Sequence, residues 1–174
     1  MSGRSAKVKG SKFERDVRDE LKRIYPSERR SQINRVPMSG ASWMKGDVFD
    51  ANDTAWSYEA KKHETLCLPD WWRQSKRQAS SFQEPILVFS SNHRPLYWCV
   101  LANQWEAYAL QAGLPLLEQI ESSTRNIYNK LKELKTREVL VIELDGDKVA
   151  VIPNESFITV RRRLWENNQT TTKS

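Results

Sequence analysis

The sequence predicts an α/β fold, a mixed central β-sheet flanked by helices, with an additional α+β elaboration toward the carboxyl end. Three observations predict it. Phe13, Val17, Leu21 and Ile24 recur at the spacing of one helical face. Ile86–Ser90 and Leu96–Leu101 are short continuous apolar runs, as expected of strands covered on both sides by packed helices. Two hairpins are signalled, one from Val48 to Lys61 around Asp50-Ala51-Asn52-Asp53 and one from Val139 to Ile152 around Asp145-Gly146.

In chain order, the first nine residues carry Arg4, Lys7 and Lys9 among small polar side chains. Such a composition buries too little to order itself and is expected to form a mobile basic arm. A helix is expected from Ser11 to Ile24, with Ser11 as N-cap and Glu14 closing a capping box; Tyr25-Pro26 ends it. Glu14 has a second reading, as a carboxylate pointing from the first helix into a site. Arg29 to Val36 reads as the first strand, and Pro37 to Ser42 as a loop of small residues. There Ser39 and Gly40 either let a phosphate approach the backbone or form an ordinary turn.

The hairpin then supplies strands two and three, and a helix begins near Pro69. Its Trp71 and Trp72 serve either as core or as base-stacking platforms, while Arg73, Lys76 and Arg77 form a polar face. Asn92-His93-Arg94-Pro95 turns between the two apolar strands. Asn103–Ala112 and Leu116–Arg137 read as helices, Arg161-Arg162-Arg163 as a further basic cluster, and Asn167–Ser174 as a disordered tail. The organisation expected is an arm (1–9), one domain (10–166, with a core over 10–101 and an elaboration over 102–166) and a tail (167–174).

Composition narrows the function. Lys and Arg outnumber Asp and Glu by 28 to 22, giving a net charge of +6, which favours an anionic partner and nucleic acid above all. The two cysteines, Cys67 and Cys99, are too few for a disulfide framework and lack metal-ligand spacing. No apolar run approaches a membrane span, and the amino terminus lacks the apolar core of a signal peptide. A soluble cytoplasmic protein is expected, in the host cytoplasm if it is encoded by a phage, without a membrane partner.

The most informative stretch is Gly46–Lys61. In an extended strand Glu59 and Lys61 point to one face while Ala60 points to the other. The hairpin could return Asp47 beside Glu59, and two converging carboxylates suit a hard cation such as Mg²⁺. The competing reading is an exposed hairpin with an ordinary cross-strand ion pair. Glu20-Leu21-Lys22 and Glu133-Leu134-Lys135 repeat the Glu-x-Lys pattern. Both copies fall in expected helices, where residues two apart do not face one another.

Helix, strand, small-residue loop, hairpin with Asp and Glu-x-Lys, helix, strand: in this order the chain resembles the PD-(D/E)xK nucleases, and among them the archaeal-type Holliday junction resolvases. The resemblance covers about Lys9 to Leu101 and rests on Lys9-Gly10-Ser11, Phe13-Glu14-Arg15, Arg35, Ser39-Gly40, Gly46-Asp47 and Glu59-Ala60-Lys61. It implies a PD-(D/E)xK nuclease-like fold and a Mg²⁺-dependent endodeoxyribonuclease, with Mn²⁺ as the alternative ion. It implies a metal site served by Glu14, Asp47, Glu59 and Ala60. Lys61 would orient or activate the attacking water, and the loop serine corresponds to Ser39.

DNA contacts are implied at Lys9, Lys12, Arg15 and Arg35, and on the following helix at Arg73, Gln74, Lys76 and Arg77, with Gln78 the alternative to Gln74. The implied substrate is the four-way junction in recombination and repair, cut by a symmetric homodimer. Duplex or single-stranded DNA, or a DNA-binding module without catalysis, are the competing functions. Gly46 stands where the motif usually has proline, and the chain beyond about Asn103 lies outside the resemblance and is expected to be specific to this lineage.

Overall fold

The computed structural model describes residues 3–36, 46–91 and 94–171, with side chains from residue 10 onward. The loop carrying Ser39 and Gly40, the Lys9 side chain and His93 lie outside the described residues. The chain divides into two compact units at Arg94 and Pro95. Each carries a mixed four-stranded sheet with helices packed on it, the α/β architecture expected from the sequence.

In the first unit, helix α1 (Gly3–Lys22) precedes strands β1 (Ile33–Arg35), β2 (Val48–Asp50) and β3 (Trp56–Lys62), helix α2 (Leu68–Gln78) and strand β4 (Glu84–Ser90). The strands lie in the order β1-β2-β3-β4; the first two pairings are antiparallel and β3 runs parallel to β4. A parallel pair needs a crossover, which α2 supplies. Phe13, Val17, Leu21 and Ile24 are all buried, as their spacing predicts, and so are Leu68, Trp71 and Trp72 of α2. The two tryptophans are therefore core rather than exposed stacking platforms.

Strand β3 is buried on both faces through Glu59 and opens to solvent over Ala60–Lys62. Alternation gives its two faces different neighbours. Gln74 of α2 bonds Glu59 on one side, whereas the Lys62 ammonium lies 5.7 Å from the Phe13 ring of α1 on the other.

In the second unit, β5 (Tyr97–Leu101), α3 (Ala102–Gln111), β6 (Glu118–Glu121), α4 (Ile127–Glu133), β7 (Glu138–Leu144), β8 (Asp147–Pro153) and α5 (Asn154–Thr171) follow in turn. The strand order is β5-β8-β7-β6, with only β6 and β7 parallel. Asp145 and Gly146 both have positive φ, 51° and 82°, the backbone of the two-residue hairpin turn that Asp-Gly signals. Trp98 stacks on Phe157 at 4.1 Å and donates its indole N–H to Asn154 Oδ1 at 2.8 Å, fixing α5 against β5.

Several elements differ from the sequence expectation. Helix α1 begins at Gly3, so Ser11 and Glu14 are interior and make no capping box; Ser11 Oγ accepts from Arg15 instead. Ser27–Gln32 is a 3₁₀ turn, which leaves the first strand only Ile33–Arg35. Leu116–Arg137 is not one helix: Glu118–Glu121 pairs in parallel with β7, and the polar Ser122-Ser123 step separates it from α4. Ladder bonds won over the charged residues' helical preference, and those charges suit an edge strand. Helix α5 runs through Asn167 to Thr171, where a disordered tail is expected. Asn167 bonds the Gln111 carbonyl at 3.1 Å, and the Thr170 and Thr171 hydroxyls bond the Asn167 carbonyl. Among the described residues no helix is long and apolar enough to cross a membrane.

Candidate active site

The backbone brings Asp47 to Glu59. Val48 is opposite Tyr58 in the β2–β3 ladder, so Asp47 and Glu59 continue the register on the other face. Asp47 is held at three points: its N–H donates to Tyr58 O at 2.7 Å, its carbonyl accepts from Val36 at 3.0 Å, and its Oδ2 accepts the Ala60 N–H at 2.8 Å. Gly46 makes this approach feasible. Its φ is +79°, and a Cβ placed there would lie 2.6 Å from Tyr58 O and 3.2 Å from Ser57 Oγ. Proline, with φ fixed near −65°, does not fit this backbone, which accounts for the glycine at the motif position.

The β2–β3 turn is anchored from behind. Asp50, 1% exposed, accepts the Tyr25 hydroxyl at 2.5 Å and the Asn52 backbone N–H at 2.9 Å. The second bond closes an Asx turn, the chemistry that Asp-Ala-Asn-Asp advertises.

Glu59 is 2% exposed, and an ionised carboxylate at that depth needs compensation. Its Oε1 receives Lys61 Nζ at 2.8 Å and Gln74 Nε2 at 2.7 Å. Its Oε2 is buried and has no hydrogen-bond partner among the described residues. Asp47 is pushed up to about 6, chiefly by burial and next by the negative charge of Glu59; the Ala60 N–H and Lys61 oppose the shift. The pair therefore carries more negative charge than the protein around it neutralises.

That imbalance is the test for a divalent cation, and the residues fit one. A buried carboxylate oxygen without a partner among the described residues, beside a second carboxyl raised by burial and then by repulsion, is a donor pair that a hard cation satisfies. Asp47 and Glu59 are the side chains that would hold it. Glu14 stands apart: Arg35 donates Nε to its Oε2 at 2.8 Å and adds a second bond from its terminal nitrogen. Arg35 is opposite Val48 in the β1–β2 ladder, and so on the face away from Asp47. Glu14 acts on Asp47 only as a weaker repulsion, and no group of three metal-binding side chains occurs among the described residues. Ala60 enters through its N–H, bonded to Asp47.

Of the expected DNA contacts, Gln74 lies inside the site on Glu59. Lys12 and Arg77 are exposed; exposed Arg15 bonds Ser11 and exposed Arg73 pairs with Asp70 at 2.8 Å; Lys76 is half-buried. His63 packs its ring 5.5 Å from Trp71, outside the chemistry. Cys67 and Cys99 are both free, and burial pushes the Cys99 thiol up. The net positive charge comes from one part of the chain: residues 1–94 hold eighteen Lys and Arg against twelve Asp and Glu, and residues 95–174 hold ten of each. Ser57, not singled out from the sequence, shares the strand face of Glu59 and Lys61 by simple alternation.

A mixed sheet with a crossover helix, an Asp before one strand and a buried Glu-x-Lys on the next define the class as PD-(D/E)xK nuclease. Residues 5–156 match the family described as "Phage putative PDDEXK endonuclease", and the chain belongs to that family. No curated protein and no solved structure matches it. The family match runs on to Ser156, so most of the chain beyond Asn103 belongs to what the family shares and is not peculiar to this lineage.

Proposed function

We propose that the chain is a Mg²⁺-dependent endodeoxyribonuclease, with Mn²⁺ as a working substitute, in which Asp47 and Glu59 hold the cation and Lys61 faces the scissile phosphate. The observation that carries this reading is the division of labour at Glu59. One oxygen is fixed by Lys61 and Gln74, and the other is left, buried, to a cation. When bound, the cation supplies positive charge and acidifies coordinated water.

The chain's own groups do the rest. The Lys61 ammonium, 20% exposed and held at 2.8 Å from Glu59, is placed to orient a water and to offset charge that develops on the phosphate. Gln74 prevents Glu59 from rotating. Arg35, paired with Glu14, offers a guanidinium for a backbone phosphate, and Lys12, Arg15, Arg73, Lys76 and Arg77 are the further candidates for phosphate contact. Glu14, occupied by Arg35, would enter the catalytic set only through its repulsion of Asp47, and the loop serine, Ser39, is its remaining member.

Within this reading four-way junctions are the substrate, on the strength of the motif order over residues 9–101, and a symmetric homodimer would make the two cuts. A chain of this kind would act in the host cytoplasm. The experiment is cleavage of labelled four-way junction, matched duplex and single strand with Mg²⁺ or EDTA, by wild type and Asp47→Asn. Paired, metal-dependent nicks in the junction alone, absent in the variant, are expected. Equal cutting of duplex would replace the junction reading by that of a general endonuclease. Binding without cutting of any substrate would leave a DNA-binding module.

A further inference from the structure

Ser57 is 1% exposed, and its hydroxyl has no hydrogen-bond partner among the described residues. A buried hydroxyl in that condition is unfavourable, and alanine would fit the same strand without the cost. Two independent observations relate it to the site. It lies two residues before Glu59, on the face of β3 that carries Glu59 and Lys61, and Glu59 Oε2 is itself a buried acceptor without a protein partner. A hydroxyl donor and a carboxylate acceptor, two positions apart on one buried strand face, are both left open. Gly46 contributes to the space beside them, since a Cβ there would crowd Ser57 Oγ at 3.2 Å.

We infer that Ser57 is a positioning residue: its hydroxyl and Glu59 Oε2 share one bound water, which fixes the direction in which Glu59 presents that oxygen to the cation. A buried water held by two polar groups suits such a site. Three hydrogen-bonding partners then fix Glu59: Lys61 and Gln74 on Oε1, and the Ser57 water on Oε2. This inference rests on the proposed cation site. Groups that orient a metal-binding carboxylate from behind change metal affinity by about 10–100-fold when removed.

The test is Mn²⁺ binding to the full chain without DNA, followed by calorimetry or the loss of free Mn²⁺ signal in electron paramagnetic resonance, with thermal unfolding of the same samples. Ser57→Ala is expected to bind Mn²⁺ about tenfold or more weakly, with a metal-free Tm equal to or above that of wild type. Ser57→Cys, close in volume but a poor donor, is expected to behave alike. Unchanged Mn²⁺ affinity in both variants would overturn the inference while leaving the cation site intact. A fall in metal-free Tm, or failure to fold, would also overturn it, by showing that the hydroxyl serves the fold. Wild-type protein that binds no Mn²⁺ would overturn the cation site itself, and this inference with it.

Discussion

Gly46→Ala is the sharpest single perturbation that the structure offers, because the protein contains its own control. Gly46 and Gly146 have nearly equal backbones, φ of +79° and +82°, but a Cβ on Gly46 would meet Tyr58 O at 2.6 Å, whereas one on Gly146 would meet nothing within 4 Å. Holding alanine in the left-handed region costs about 1–2 kcal/mol at either position. At Gly46 the strand must also move away from Tyr58, which breaks the 2.7 Å bond from the Asp47 N–H to that carbonyl and adds about 1 kcal/mol. Backbone adjustment adds about another. The expected cost is therefore about 3–4 kcal/mol for Gly46→Ala against about 1–2 for Gly146→Ala. In thermal unfolding this separates the variants by about 4–8 °C. Cleavage should fall in the first, which displaces Asp47, and persist in the second. Equal Tm losses would refute the argument that the β2–β3 approach requires the glycine.

The remaining expectations concern charge. Asp47 is raised from 3.8 to about 6, so in metal-free protein the folded state holds its proton more tightly than the unfolded chain. The sign is then opposite to that of a salt-bridged carboxylate: this contribution to stability is present below about pH 4 and is lost as pH rises through about 6. Asp47→Asn should therefore stabilise metal-free protein at pH 8 but not at pH 4, as read from Tm across that range, and it should abolish cleavage at both. Lys61→Met removes the cation from a nearly buried carboxylate and should cost about 1–3 kcal/mol in denaturant unfolding, discounted for the partial exposure of Lys61; cleavage should disappear while the fold persists. Gln74→Ala should reduce cleavage less than Lys61→Met does; an equal loss would mean that the glutamine does more than hold Glu59. Reversing Arg73 and Arg77 to Glu should weaken DNA binding and flatten its salt dependence. The same reversal at Arg162 and Arg163, in the charge-neutral half, should change binding much less, and a comparable effect there would show that both halves contact DNA.

Much of the fold was legible because its signals are local. The buried face of α1, the apolar β4 and β5, and the Asp145-Gly146 turn follow from periodicity and turn chemistry within short windows. What failed depended on partners distant in sequence. β6 is a strand only because β7 supplies its ladder, and Glu118-Gln119-Ile120-Glu121 alone carries no strand signal. Helix α5 did leave a trace, since Phe157, Val160, Arg161 and Leu164 fall on one helical stripe and are all buried, but three consecutive arginines, Arg161, Arg162 and Arg163, interrupt its apolar pattern. In the candidate site, the approach of Asp47 to Glu59 and the shared face of Glu59 and Lys61 were legible from spacing, whereas Gln74, expected as a DNA contact, instead bonds Glu59. That Arg35 occupies Glu14 was not, because two helix positions and a strand register decide which carboxylate meets which cation. Nor was the open hydroxyl of Ser57, since a serine in a strand says nothing until its neighbours are known.

The shortness of β2 has a consequence for how the chain reaches its native pairing. β2 is only three residues long and so specifies alignment poorly, and a hairpin that slipped by one position would exchange the two faces of one strand. Because β3 is held by its seven-residue ladder with β4, β2 would be the strand to turn over, taking Asp50 from the Tyr25 hydroxyl and Asp47 from its place opposite Glu59. Leaving the buried Asp50 without its hydrogen bonds costs more than one mispaired ladder position recovers. The aspartates at either end of β2 thereby set an alignment that three residues of ladder would leave loose.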